Sequence, residues 1–221
     1  MKRVIVLICA VVTLGFGAYL FTSSPSTPPN PLIGAANAQE AGDVDTSGII
    51  EMVQGSEDAP VTMIEYASYT CPHCAAFHSG PYKKLKADYI DTGKVKFIYR
   101  EVYFDRYGLW GSMIARCAGP DRFFGVTDLL YSGQSEWTRA GEPADIIAEL
   151  RKIGRQAGVT DEQLDVCLQD NDKAQALVAW YQANAEADGV QSTPSFVIDG
   201  ERQSNMSYDE MSAVIETALG N

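Results

Sequence analysis

The chain of 221 residues is long enough for one or two domains, and its hydrophobic fraction of 46% is sufficient for a sizeable core. Its formal net charge of -12 argues against nucleic acid and against an anionic membrane surface as partners, because both carry negative charge.

The first 38 residues have the pattern of a targeting segment. Lys2 and Arg3 precede an apolar run over 4–21, and Ala36-Asn37-Ala38 has the A-x-A form of a signal-peptidase site. The run is long and the cleavage site lies far beyond its end, so an uncleaved inner-membrane anchor is the alternative to a cleaved signal peptide. Either interpretation predicts export to the periplasm, with 39–48 as a flexible linker behind the leader.

A strand–helix–strand unit follows, within a segment that we delimit as 49–107. The β-branched and apolar run at 61–66 predicts a buried strand, and the run at 95–99 predicts a second one. Between them the pattern predicts a helix over 72–92, with a kink or break at Gly80-Pro81 because proline cannot continue the backbone hydrogen bonding.

The pattern is helical over 108–189, where the capping box at 160–163 marks one helix start. Strand signals return in the last segment, 190–221. There Asp199-Gly200 is typical of a hairpin turn, and a second capping box at 207–210 opens a closing helix. The predicted order is therefore βαβ, a helical insertion, and ββα, which is an α/β fold.

The segment 71–74, Cys-Pro-His-Cys, is the main candidate for chemistry, and its spacing suits several sites. Structural zinc needs four ligands, so Cys117, Cys167 or His78 would have to converge on the pair. A c-type haem attachment needs histidine directly after the second cysteine, and Ala75 stands there. Two inert buried thiols are a further alternative. The redox pair is the interpretation that its position favours.

That position is the start of a helix directly after a buried strand. Unpaired N–H groups and the positive end of the helix dipole stabilise a thiolate at Cys71, and Pro72 fits the first turn. His73 can add a hydrogen bond or partial charge, although a solvated loop histidine is the alternative. These effects lower the pKa of Cys71 and favour the reduced state, with Cys74 as the resolving thiol. His78 is expected in ordinary, partly exposed packing.

Over about 49–219 the chain resembles the DsbA-type thiol:disulfide interchange proteins, which have the thioredoxin fold. The resemblance rests on Cys-Pro-His-Cys at 71–74, on the strand at 61–68 with an acid six residues before the first cysteine, on the helical insertion, and on Gln-Ser-Thr-Pro-Ser-Phe at 191–196. The last segment is similar to the cis-proline loop of that family.

The resemblance implies roles for further residues. Glu65 would be a buried acid that assists proton transfer at Cys74, the alternative being a strand acid that faces solvent at a sheet edge. Pro194, if cis, would pack against the disulfide, and Thr193 would offer backbone groups to an extended substrate. The alternative for Pro194 is a plain strand-initiating proline.

We therefore expect an exported, monomeric thiol:disulfide oxidoreductase that donates disulfides to folding proteins through a mixed disulfide at Cys71. It needs no metal and no cofactor other than its own Cys71–Cys74 disulfide. By the resemblance, a membrane oxidase re-oxidises it. An isomerase or reductase of the same fold is the alternative within redox chemistry, and an exported chaperone or metal-binding module is the alternative outside it.

Cys117 and Cys167 are predicted to form a second, structural disulfide. Both fall on apolar faces of predicted helices and should point inward, and an exported setting oxidises a pair within reach. The alternative is two separate buried thiols.

Overall fold

The computed structural model describes residues 44–221, so the leader expected at 1–38 and the first part of the expected linker lie outside the described residues. Within the described part, no helix combines the length and apolarity that a membrane crossing requires. The elements, in chain order, are β1 (Met52–Gln54), β2 (Val61–Ala67), α1 (Pro72–Ser79), α2 (Pro81–Leu85), a π-helical segment (Lys86–Ile90), β3 (Val95–Glu101), α3 (Arg106–Cys117), α4 (Pro120–Ser132), α5 (Gln134–Trp137), α6 (Pro143–Gln156), α7 (Asp161–Gln169), α8 (Asn171–Ala187), β4 (Ser195–Ile198), β5 (Glu201–Ser204) and α9 (Tyr208–Ala218).

The strands form one mixed sheet in the order β1-β3-β2-β4-β5. β2 and β3 are parallel, with Val61 opposite Val95, whereas β1 pairs antiparallel with β3 and β4 with β2. β5 returns antiparallel to β4 through Asp199 and Gly200, whose φ angles of 49° and 87° suit a two-residue hairpin turn. The βαβ and ββα halves thus share one sheet, with α3 to α8 between them in the chain. This confirms the predicted thioredoxin fold.

Successive side chains of β2 point to opposite faces of the sheet, and this alternation determines which of them lie beneath α1. Met63 and Ala67 belong to the main core, whereas Tyr66 belongs to a smaller cluster on the opposite face, with Val197 and Ala185. Glu65 shares the parity of Met63 and Ala67, so it points to the main-core side. Because β2 lies between β3 and β4, this carboxyl group is interior to the sheet, not at an edge.

The helical segment after β2 is interrupted where the sequence predicted. α1 ends at Ser79, Gly80 is not helical, and α2 begins at Pro81. Proline has no N–H for the helix hydrogen bond and crowds the preceding turn, so the break at Gly80-Pro81 is confirmed. The segment closes as a π-helix at Ile90, two residues before the predicted end.

Two helices, α7 in the insertion and α9 after it, begin where local signals predict. The predicted capping boxes at Thr160 and Ser207 are confirmed, since each side chain accepts a hydrogen bond from the backbone N–H three residues later. α6 approaches α7 closely at Gly154, where an added Cβ would lie 2.7 Å from Cδ2 of Leu164. Only glycine fits this contact without a shift of a neighbour.

A disulfide joins Cys117, the last residue of α3, to Cys167 in α7, with an S–S distance of 2.05 Å. Both cysteines are half-buried. Neither cysteine is fully buried, because α7 lies on the surface and buries only Leu164 completely. The bridge fastens a surface helix to the core helix α3.

A buried ion pair connects the sheet to the same helix. Arg116 donates to both carboxylate oxygens of Glu101, the last residue of β3, at 2.7 and 2.6 Å, and the two side chains are 5% and 1% exposed. Arg116 also donates to the carbonyl oxygen of Ile50 at 3.0 Å. Its guanidinium thus ties the chain ahead of β1 to the C-terminal end of β3, which is the end of the sheet that carries Cys71.

Candidate active site

Cys71 is the N-cap residue of α1, and it follows β2 after a loop of three residues. Its φ and ψ of -83° and 119° are extended, and Pro72 occupies the first helical position. Cys71 is buried, and only 7% of its surface is exposed. An N-cap sulfur is close to the free N–H groups of the first helical turn.

The surroundings of Cys71 lower the pKa of its thiol from 9.0 to about 5. The largest cause is the S–H group of Cys74, which donates to the thiolate. The side chain of Thr193 and the backbone N–H groups of Cys74 and His73 add to this, while partial burial acts in the opposite direction. Cys71 is therefore a thiolate at neutral pH, which is the nucleophilic form.

Cys74 has the opposite character, although it stands only three residues away. It is fully buried, and burial raises the pKa of its thiol far above the ordinary value. Its hydrogen bond to Cys71 and the nearby charge of Glu65 act in the same direction. The pair thus holds one proton, on the inner sulfur.

Glu65 lies beneath this pair, fully buried, and it is hydrogen-bonded to His78. Nε2 of the imidazole is 2.9 Å from Oε2 and 3.1 Å from Oε1 of the carboxyl group. The expectation of partly exposed packing for His78 is wrong, since its side chain is 2% exposed. The reason is helical geometry, because residue 78 lies one turn after Cys74 and shares its inward face.

Pro72 and His73 are both exposed at the start of α1. What His73 brings to Cys71 is its backbone N–H group. The contribution expected from the imidazole ring stays a prediction.

The loop before β4 approaches the same sulfur. The Thr193–Pro194 peptide bond is cis, Pro194 is buried, and the thiol of Cys71 donates to the carbonyl oxygen of Thr193 at 3.5 Å. The hydroxyl oxygen of Thr193 is buried and has no hydrogen-bond partner while Cys71 is a thiol. This hydroxyl can donate to the sulfur once Cys71 becomes a thiolate, which explains its effect on the pKa.

Gln134, the first residue of α5, is a site residue that the sequence analysis did not identify. Its buried amide nitrogen donates to the carbonyl oxygens of Tyr69 at 2.8 Å and Cys71 at 2.9 Å. The inserted helices therefore hold the backbone on both sides of Thr70. No local pattern marks this glutamine, because its partners lie more than 60 residues earlier in the chain.

The residues that the zinc alternative required are engaged elsewhere. Cys117 and Cys167 are bonded to each other, and His78 is bonded to Glu65. Over residues 44–221, no three side chains of the His, Cys, Asp or Glu types are grouped as metal ligands. What the site presents is a low-pKa thiolate, a buried thiol and a buried acid–imidazole pair.

Comparisons with known sequences agree with this chemistry. The family model described as thioredoxin matches residues 48–217. A protein named as a protein-disulfide oxidoreductase in Rickettsia bellii is 33% identical over 170 residues, covering 76% of this chain and 64% of the relative. The disulfide bond formation protein D of Bacillus subtilis is 28% identical over 182 residues, covering 76% of each chain. The chain thus spans less than two thirds of the length of the Rickettsia relatives that it matches.

Solved structures show the same fold. The crystal structure of alpha-DsbA1 from Wolbachia pipientis has a TM-score of 0.70 at 24% identity, covering 77% of this chain and 91% of that one. Oxidised BdbD from Bacillus subtilis has a TM-score of 0.63 at 26% identity, covering 77% and 94%.

Proposed function

The chain belongs to the DsbA-type branch of the thioredoxin family, and on this premise we propose that it is an exported thiol:disulfide oxidoreductase that donates disulfides to folding proteins. The redox group is its own Cys71–Cys74 pair, with no further cofactor. The protein acts in the periplasm as a monomer.

The observation that carries the proposal is the asymmetry of the two sulfurs. The pKa of Cys71 is lowered to about 5, while that of Cys74 is raised far above the ordinary value. A stabilised thiolate favours the reduced enzyme, and an enzyme that is stable when reduced is a strong oxidant when it carries the disulfide. Donation of disulfides is the direction that such a pair drives.

In the proposed reaction a substrate thiolate attacks the sulfur of Cys71. A mixed disulfide forms, the Cys71–Cys74 bond breaks, and its electron pair leaves on Cys74, which takes up a proton. A second substrate thiolate then attacks the substrate sulfur of the mixed disulfide, and Cys71 leaves as a thiolate. The substrate has lost two electrons, and the enzyme holds them as a thiolate and a thiol.

The surroundings of the pair support a polypeptide substrate. The exposed Pro72 and His73 and the adjacent cis-proline loop form an open rim around Cys71, where an extended chain can pair with backbone groups of the loop. The reduced enzyme needs an electron acceptor, which we assign to a membrane oxidase on the basis of the family resemblance.

The reduction potential of the Cys71–Cys74 pair tests the direction of transfer. We expect a value in the range of roughly -180 to -120 mV, measured by equilibration with glutathione buffers. A value near that of thioredoxin, about -270 mV, contradicts the oxidase assignment and favours a reductase.

Variants of Cys71 test the enzyme assignment itself. Cys71→Ser should abolish both the oxidation of a reduced, disulfide-free protein and the dithiol-driven reduction of insulin. Full activity without Cys71 would exclude the proposed chemistry. Rescue of a scrambled disulfide protein at a faster rate than oxidation of a reduced one would identify an isomerase instead.

A further inference from the structure

The buried pair of Glu65 and His78 has no assigned part in the reaction beyond the expected help from Glu65. Both side chains are sealed from solvent, at 0% and 2% exposure, and both oxygens of Glu65 lie within 3.1 Å of a single imidazole nitrogen. A buried carboxylate is costly unless a hydrogen-bond donor or a positive charge compensates it. His78 is the group that does so here.

The geometry places this pair next to the inner thiol. Cys74 and His78 are one helical turn apart on the inward face of α1, and Glu65 lies on the strand beneath that face. The charge of Glu65 acts directly on Cys74 and raises the pKa of that thiol. The three groups therefore share one water-excluded space.

Tyrosine rings on three different elements also face His78. The ring of Tyr131 on α4 stacks on the imidazole at 4.3 Å, that of Tyr82 on α2 lies 4.5 Å away, and that of Tyr99 on β3 lies 5.9 Å away. Burial raises the pKa of all three phenols above the ordinary value of 10.0. They stay neutral at physiological pH, so Glu65, His78 and Cys74 are the groups in this space that can exchange a proton.

On the basis of the proposed function, we propose that His78 is a positioning residue for Glu65. It holds the carboxyl group in place and shares a proton with it, so that the two residues together give a proton to Cys74 and take it back. Imidazole is the side chain that ordinarily changes charge between about pH 5 and pH 8, which makes it suited to this task near neutrality.

The proton of Cys74 moves in both halves of the cycle, when the enzyme is reduced and when it is re-oxidised. When the Cys71–Cys74 bond breaks, the electron pair stays on Cys74, and the protonated Glu65–His78 pair gives its proton to that sulfur. In re-oxidation the carboxylate of Glu65 takes the proton of Cys74, whose sulfur attacks a mixed disulfide at Cys71 and releases the oxidant's thiolate. His78 contributes the hydrogen bond and the compensating charge that hold Glu65 in the receiving state.

The re-oxidation step isolates this proton transfer. Reduced enzyme is mixed with excess oxidised glutathione, and the phase whose rate does not depend on glutathione concentration reports the attack of Cys74 on the mixed disulfide. In the wild type we expect this rate to depend on pH, because the step includes a proton transfer from Cys74. His78→Gln keeps a donor to Glu65 but cannot be charged, so it should lose that pH dependence and be slower by roughly tenfold or more.

A matched control and a second measurement separate this role from packing. Tyr82→Phe keeps the ring against His78 and removes only a hydroxyl that donates to Gln54, so its pH profile should follow the wild type. Glu65→Gln should lose the same pH dependence, and adding His78→Gln to it should slow the reaction no further. Because the chain has only two histidines, the imidazole of His78 can also be followed by NMR in His73→Ala, and its chemical shifts should differ between oxidised and reduced enzyme and change in Glu65→Gln.

The outcomes are distinct. A wild-type enzyme that neither oxidises a reduced protein nor reduces insulin contradicts the proposed function. A wild type that is active, with His78→Gln superimposed on its pH profile or with a His78 resonance insensitive to the redox state, overturns the role of His78. If His78→Gln does not fold, the NMR comparison of His78 in folded Glu65→Gln and in the parent protein decides whether His78 acts with Glu65.

Discussion

At the scale of single residues, the site works because two identical thiols receive opposite surroundings. Cys71 stands at the start of α1, where N–H groups, the Cys74 thiol and Thr193 stabilise negative charge, and the pKa falls to about 5. Cys74 is one turn deeper, without solvent and near Glu65, and its pKa rises. The same residue type thus has opposite properties at the two positions because its hydrogen-bond partners and its burial differ.

Substitution of Thr193 tests whether its hydroxyl group stabilises the thiolate of Cys71. Thr193→Val removes the hydroxyl and should raise the midpoint of Cys71 ionisation by about one pH unit, because the thiolate loses a charged hydrogen bond. The ultraviolet absorbance of the thiolate against pH measures it. Thr193→Ser keeps the hydroxyl and should remain close to the wild type; if valine and serine variants titrate alike, the hydroxyl has no part in stabilising the thiolate.

Gln134 is a second residue whose contribution can be measured. Gln134→Leu leaves the carbonyl oxygens of Tyr69 and Cys71 without their donor, and it should lower the free energy of unfolding by roughly 1 to 3 kcal/mol. The position of Cys71 should also loosen, which slows mixed-disulfide formation. Chemical denaturation and stopped-flow mixing measure the two effects.

The control for this glutamine is another one on a helix surface. Gln182 on α8 is exposed, and Gln182→Leu should change the free energy of unfolding by no more than about 0.5 kcal/mol. Equal effects of the two substitutions would show that the buried amide does not hold the active-site loop.

At the scale of elements, the parts that local chemistry determines could be predicted from the sequence. The capping boxes at Thr160 and Ser207, the Asp199-Gly200 turn and the break at Gly80-Pro81 each depend on a few adjacent residues. β1 has only three residues, which are too few to show a periodic pattern in the sequence. It is recognised as a strand because it pairs with β3.

Contacts between distant elements account for what the sequence could not reveal at the site. The environment of His78 consists of a carboxyl group on β2 and tyrosine rings on α2, β3 and α4. Gln134 donates to carbonyl groups that lie more than 60 residues earlier in the chain. The depth of the disulfide depends on α7, whose surface position follows from its packing and not from its own pattern.

The Cys117–Cys167 bridge gives a prediction at the element scale. Replacing both cysteines by alanine opens a cross-link between residues 50 apart and should lower the free energy of unfolding by roughly 4 kcal/mol on the chain-entropy model. The thiolate titration of Cys71 should be unchanged, because the bridge fastens α7 to α3. Urea denaturation of the oxidised proteins measures the loss.

Labelling of thiols before and after graded reduction checks that the bridge forms in the protein. Cys117 and Cys167 should react only after stronger reduction than Cys71 and Cys74 require. Labelling of both in the unfolded protein without any reductant would exclude the bridge.

At the scale of the whole molecule, the low pKa of Cys71 couples redox state to stability. In the unfolded chain a cysteine titrates near its ordinary value of 9.0, whereas in the reduced fold Cys71 titrates at about 5. A lowered pKa stabilises the fold fully above the unfolded value, and that stabilisation is lost as the pH falls towards 5. Below about pH 8, Cys74 is protonated in both states, because its pKa is raised in the fold, and it adds no slope.

The reduced protein should therefore become more stable with rising pH relative to a variant without this thiol. The difference in free energy of unfolding between reduced wild type and reduced Cys71→Ser should increase by roughly 1 kcal/mol per pH unit between about pH 5 and pH 8. Urea titrations at several pH values measure it. A difference that does not vary with pH would contradict a thiolate at Cys71.

The two edges of the sheet have a consequence for the proposed function, in which the protein would meet unfolded polypeptide. β1 offers only three residues for pairing, and β5 is four residues long with the exposed, charged Glu201 and Arg202. Short and charged edge strands are poor templates for further strand addition. An unfolded chain with exposed apolar segments therefore has few backbone groups to pair with at either edge of the sheet. If such chains are the substrates, we expect the protein to resist co-aggregation with them, and backbone pairing to be confined to the loop beside Cys71.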